Sequence, residues 1–379
     1  MRRSNITQIQ SSKLLLLAFL LMAAANFIGS IILLVVTEAL KLSEQATSLI
    51  SYALMLVFQA IYVTVYIQFK RKNKVLTNFE VKNKISPMAI MSAFLIAGVT
   101  FFGCIGPAYA LERLFDFLGM EAGAQLGTSS VAEIIMLFVC TTIAAPVGEE
   151  LIFRDGLISG LRENNGEIKA ALISAACFML MHTNPYQTAY QFILGFVSAI
   201  TVIRLGSVVV GMIIHSVSNC LAVLMSITTV GAAVDKFYSG VCYNVWTFVL
   251  LAVVLPCVAI FSILIFTYVL KRREQKLYPF KYDRVKDEPI WIDEKTLKPL
   301  YDESDVPQIT PENEMAFMGY DTHTGEKVYL SRYDLQKELL QDYEQRKKNK
   351  SKDGVLKLYV IITCVLWLFT FITQLLSIA

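Results

Sequence analysis

Apolar runs long enough to cross a lipid bilayer recur about nine times along the chain, and they decide its fold class. They cover residues 14–36, 46–69, 88–111, 130–153, 168–182, 187–204, 207–227, 244–270 and 355–378. Lipid offers backbone N–H and C=O groups no partner, so a run of about 20 apolar residues must close its hydrogen bonds within itself and become helix. The expectation is an all-α, polytopic helical membrane protein. The fifth and sixth runs are short for full spans and either tilt or form a buried pair. Composition agrees: 55% of residues are hydrophobic and 17% charged, where a soluble domain carries roughly 25% charged residues.

The connecting segments alternate in basic content. Arg2, Arg3 and Lys13 precede the first run, and Lys70, Arg71, Lys72, Lys74, Lys82 and Lys84 join the second to the third. Arg154, Arg162 and Lys169 follow the fourth, Arg204 the sixth, and Lys271-Arg272-Arg273 the eighth. The intervening loops 37–45, 112–129, 183–186 and 228–243 are poor in lysine and arginine. Basic loops stay in the cytoplasm, which predicts a multi-pass protein of the cell membrane with its N-terminus cytoplasmic and its C-terminus external. The first run is too long for a signal-peptide core and lacks an A-x-A-like end, so it reads as a retained helix. The chain divides into N-terminal helices (1–129), a core (130–227), a helix with its flanks (228–273), a polar cytoplasmic insert (274–354) and a last helix (355–379). Within the insert, alternation over 326–330 suggests a strand and the charged stretch 333–347 a helix.

The net charge of +3 gives no support to nucleic-acid binding. Seven cysteines, an odd number with no C-x-x-C pair, read as small apolar residues of packed or lipid-facing helices.

The polar residues within the apolar runs are more informative. Of three histidines, His182 and His215 lie in apolar runs, and His323 in the insert. Ionisable groups at membrane depth cost about 2.5–3.5 kcal/mol each on insertion scales, so they need a partner or a purpose. Glu149 and Glu150 carry the same cost. Neighbouring helix positions point about 100° apart, which predicts that the two acids do not share one partner. Glu150 and Arg154 are spaced i,i+4 with the acid first, the favourable order for an ion pair that holds the helix end. Glu149 is left without a local counter-charge and is the candidate general base. His215 and Asn219, also i,i+4, share a face and offer two donors for an oxyanion. The expected chemistry is a water deprotonated by Glu149 with help from His182, attacking a peptide carbonyl whose oxyanion His215 and Asn219 stabilise. Counted along helices of about 1.5 Å rise, the three groups start at different depths: Glu149 near the cytoplasmic end of its run, His215 partway in, His182 near the external end.

Three motifs occur in order on separate helices: E-E-x-x-x-R at Glu149-Glu150-Leu151-Ile152-Phe153-Arg154, F-x-x-x-H at Phe178–His182, and H-x-x-x-N at His215–Asn219. Over roughly residues 130–227 the chain resembles the CPBP family, also called the CAAX prenyl protease type II or Abi family. The resemblance implies a helical membrane core whose site opens toward the cytosol, with Glu149 as base, His182 as its helper, and His215 and Asn219 as oxyanion donors. It implies no required cofactor, although the family was long labelled metalloprotease. The implied partner is a membrane-bound peptide or protein, lipidated where the CaaX-trimming eukaryotic member is the guide. Bacterial members are linked to bacteriocin self-immunity and protein processing. The insert and last helix lie outside the pattern. Three alternatives stay open: zinc on Glu149, His182 and His215, which lack the H-E-x-x-H arrangement; a non-enzymatic immunity or scaffold protein; and a secondary transporter, which would predict repeat symmetry between halves.

Overall fold

Each apolar run becomes a helix in the computed structural model, which describes residues 4–120, 130–162, 164–242, 244–277, 315–320, 327–331 and 353–376. In order these are α1 (Gln8–Leu40), α2 (Glu44–Asn73), α3 (Pro87–Phe117), α4 (Val131–Leu161), α5 (Glu167–Met181), α6 (Pro185–Leu205) and α7 (Val208–Ile227). A further helix, α8 (Thr229–Val241), occupies the segment expected to be an external loop. Then come α9 (Val245–Glu274) and α10 (Gly354–Leu376).

Eight of these helices are long and apolar enough to cross a membrane. The one apolar run left over, the fifth, is α5; it has 15 residues and extends about 22 Å, short of a hydrocarbon core of about 30 Å. The sixth run, expected to be short, extends to 21 residues as α6 and is one of the eight, and the short α5 packs along it. In α6, 72% of the apolar window is buried, against 11% in α9 and α10, so α6 is the central helix and those two are peripheral. Their apolar side chains, such as Phe261 and Phe369, face outward, where lipid would cover them.

Local chemistry sets the helix ends. Thr7 with Gln10 and Ser130 with Glu133 form capping boxes. Ser86 caps α3 with Pro87 behind it, at the position where a missing N–H costs nothing. Gly206 ends α6 at φ 73°, a left-handed turn open to glycine without strain.

The segments richest in lysine and arginine meet at one end of the bundle. Asn83 Nδ2 donates to Gly206 O, Ser86 N–H to Glu274, Asn164 Nδ2 to Gln8, and Ser12 Oγ to Asp353. Lys271 Nζ lies 2.6 Å from Glu167. Two residues of the N-terminus, β1 (Ser4–Asn5), pair in parallel with β2 (Val75–Leu76). The fastening of the α2–α3 loop is buried: Asp155 of α4 accepts hydrogen bonds from Tyr66 Oη, from Thr77 Oγ1 at 2.7 Å and from Phe79 N–H at 2.9 Å. Beside it, burial alone would push the Glu80 carboxyl up, but Lys70 and Lys82 outweigh burial and hold it below the usual glutamate range. In the insert, the strand expected over 326–330 is β4 (Lys327–Ser331), antiparallel to β3 (Met315–Tyr320). The helix expected over 333–347 lies outside the described residues.

Candidate active site

Helix α4 is irregular where its acids sit. It changes from α to π geometry at Val139–Ala144, returns to α for Ala145–Glu150, and is π again over Leu151–Leu157. Pro146 accounts for the first change: it has no N–H and its ring crowds the carbonyl four residues back, so a wider turn relieves the clash. Ala145 N–H bonds to Cys140 O, five residues back. In that pattern Thr141 O should receive its hydrogen bond from position 146, the proline. The orphaned carbonyl is taken by Asn219 of α7, whose Nδ2 donates at 2.8 Å.

Helix α4 also runs on to Leu161 instead of stopping at residue 153, because Arg154 and Asp155 are buried in polar partners and not in a loop. This moves Glu149 deeper into the bundle, to a level between the two histidines. Counted from the basic end at about 1.5 Å per residue, Glu149 lies about 18 Å in, between His215 at about 11 Å and His182 at about 22 Å.

The expectation that the two acids face different partners fails. The His215 ring stands between them, Nδ1 3.1 Å from Glu150 Oε1 and Nε2 3.9 Å from Glu149 Oε2. The 100° rule governs Cα–Cβ directions; a glutamate has three side-chain torsions, and imidazole presents a nitrogen on each of two edges. Glu150 is wholly buried and fully engaged. Besides His215 it accepts from Ser198 Oγ at 2.7 Å and lies 3.3 Å from Arg154 Nε, the i,i+4 partner expected for it. Gly211 leaves room for this carboxylate, since a Cβ there would come within 2.4 Å of Glu150 Oε2. Glu149 differs: its Oε2 is buried and has no hydrogen-bond partner among the described residues.

Phe178, first residue of the F-x-x-x-H motif, organises the rest. Its ring stands edge-on to both His182 and His215, at 4.8 and 5.5 Å, and carries the Arg154 guanidinium 4.4 Å from its centre. His182 shares a hydrogen bond between Nδ1 and Phe178 O at 2.9 Å, which leaves Nε2 as the free ring nitrogen. His182 and Glu149 are not joined by an ion pair among the described residues. Nor is any group of three His, Cys, Asp or Glu side chains spaced to hold a metal ion among them, the set Glu149, His182 and His215 included.

Four helices thus supply one polar centre inside an apolar bundle. Residues 131–221, which span α4 through most of α7, match the family profile described as Type II CAAX prenyl endopeptidase Rce1-like. The chain carries an Rce1-like domain. The matched segment contains Glu149, Glu150, Arg154, Phe178, His182, Ser198, His215 and Asn219, so the domain and the polar centre coincide. Comparisons with curated proteins and with solved structures return no match. Helices α1–α3 and α8–α10 lie outside the Rce1-like domain, yet α2 reaches its centre. At Gly148, beside the acids, an added Cβ would stand 3.0 Å from Tyr62 Cβ and 3.2 Å from Gln59 O. Sequence reading passed over Ser198, Gly211 and α2. Only Gly211 carried a local signal: it lies four residues before His215, on the same helix face.

Proposed function

We propose that this multi-pass membrane protein is an intramembrane endopeptidase whose general base is Glu149. The observation that carries the reading is the contrast between the two acids. Glu150 has a partner on each of its oxygens, whereas Glu149 presents a buried, unpartnered oxygen across a 3.9 Å gap from an imidazole nitrogen. A buried carboxylate oxygen without a donor costs free energy unless something donates to it, and a water held there is the nucleophile the chemistry needs.

In the proposed reaction Glu149 takes a proton from this water as its oxygen bonds to the carbonyl carbon of the substrate. The tetrahedral oxyanion accepts from His215 Nε2–H and from the second hydrogen of the Asn219 amide, the first being held by Thr141 O. For His215 to donate from Nε2 while Nδ1 donates to Glu150, the ring must be doubly protonated. Glu150 and Glu149 then balance the two cations, His215 and Arg154. The C–N bond breaks as Glu149 returns the proton to the leaving amine. His182, anchored on Phe178 O, offers Nε2 to orient the water. No metal takes part in this sequence. The substrate class is a membrane-embedded peptide or protein reaching the site from the cytoplasmic, basic end.

Comparative proteomics of membrane fractions from cells carrying the wild-type chain or Glu149→Ala tests the reading. Peptide termini that form only with the intact acid are expected, falling about a hundredfold or more in the variant, on the scale of general-base catalysis. Identical termini in both, at equal amounts of folded protein, would exclude Glu149 as the base and favour a binding role of the immunity or scaffold kind.

A further inference from the structure

Gln59 lies on α2, outside the Rce1-like domain, and the mechanism above does not use it. Its side chain is only 6% exposed, and its Oε1 is buried with no hydrogen-bond partner among the described residues. That oxygen would stand 3.3 Å from a Cβ placed at Gly148, one helix position before Glu149. The close approach of α2 to α4 exists because residue 148 is glycine, since the α2 backbone and Tyr62 Cβ fill the space a side chain would take. Tyr62, one turn further along α2, donates its hydroxyl to the thioether of Met181, a weak acceptor next to His182. The α2 face turned toward the acids is therefore polar and poorly partnered.

An amide buried in this state is destabilising on its own. It carries one acceptor and two donors, the complement of a peptide group. A substrate held for cleavage must be locally extended, and its N–H and C=O groups then lack the helical partners that lipid cannot replace. Gln59 flanks Gly148, the residue before Glu149, and an extended chain advances about 3.3–3.6 Å per residue, so a peptide group next to a scissile bond at Glu149 is the spacing its amide would serve. From the burial, the unpartnered oxygen and this spacing, we infer that Gln59 is a substrate-binding residue: its amide hydrogen-bonds the backbone of the substrate next to the scissile bond, Oε1 accepting a peptide N–H. This rests on the proteolytic reading of Glu149 and extends the working site to a helix outside the matched domain.

The test uses the full chain in its own membranes, with the Glu149-dependent termini as the probe. Gln59→Leu and Gln59→Met keep the volume and remove the amide. Each is expected to slow the appearance of those termini about tenfold, the size of a lost hydrogen bond in an apolar site. In the same variants the purified protein should unfold at the same or a higher temperature, because a buried group without a partner has been removed. A structural role would move both readouts together, so slower cleavage with a lower unfolding temperature overturns the inference. So does an unchanged cleavage rate, which would mean that the amide meets only water. Termini that persist in Glu149→Ala remove the proteolytic reading itself, and the role of Gln59 with it.

Discussion

The Glu150 carboxylate accepts a hydrogen bond from Ser198 and lies against Arg154 and His215, in a space that exists because residue 211 has no side chain. A methyl group at 211 would meet Glu150 Oε2 at 2.4 Å, Val202 Cγ2 at 2.8 Å and Ser198 Oγ at 2.9 Å, none of them at the loose end of a surface chain. Gly211→Ala should therefore destabilise the protein by about 1–3 kcal/mol through overpacking. It should also abolish cleavage, because Glu150 can no longer hold His215. Gly98 in α3 is the control, since nothing lies within 4 Å of a Cβ placed there. Gly98→Ala should be neutral or stabilise by up to about 1 kcal/mol, from helix propensity alone. Unfolding midpoints of both variants in detergent decide the matter; equal midpoints would mean that Gly211 is no cradle. At this scale the sequence was legible where partners share a helix, as with Glu150 and Arg154. Ser198 was illegible, because nothing near it in the chain says that a carboxylate from another helix will arrive.

Between residue and bundle stands the broken regularity of α4. Pro146 removes the donor that Thr141 O would use in the π pattern, and Asn219 replaces it across the helix interface. If that is why the contact forms, the two sites are energetically coupled. Asn219→Leu should cost about 1 kcal/mol in the native background, in the range for interhelical hydrogen bonds in membranes. Pro146→Ala supplies an N–H at position 146, and in that background the same substitution should cost little. A double-mutant cycle by equilibrium unfolding measures the difference, and strict additivity would show that Thr141 O does not depend on Asn219. Element boundaries were legible from hydropathy except where a polar residue is satisfied from afar. Arg154 and Asp155 read as the end of a span, yet Phe178, Tyr66, Thr77 and Phe79 enclose them and α4 continues. Helix α8 was missed for the converse reason: its mixed composition resembles a loop, and it packs on α7 at the end of the bundle.

For the molecule as a whole, the alternation of basic and non-basic loops is a statement about geometry before it is one about orientation. The N-terminal strand, the α2–α3 loop, the α6–α7 turn, the end of α9 and the start of α10 are joined by hydrogen bonds at one end. Because these connections are joined at one end, the long helices between them run alternately away from it and back, α5 and α6 included, and the chain starts at that end at Ser4 and leaves it along α10. The short α5 does not upset this parity, because it turns back into α6 within the bundle and α6 returns to the basic end as α7 begins. From the charge bias we propose that the basic end faces the cytoplasm. Epitope tags at the two termini separate the possibilities in sealed, right-side-out cells. The C-terminal tag should bind an impermeant antibody directly, and the N-terminal tag only after permeabilisation. Tags exposed on one side together would mean that the short helix does not do the work of a crossing. The reverse pattern would place the basic cluster, and with it the approach to Glu149, outside the cell, where a cytosolic substrate could not reach it.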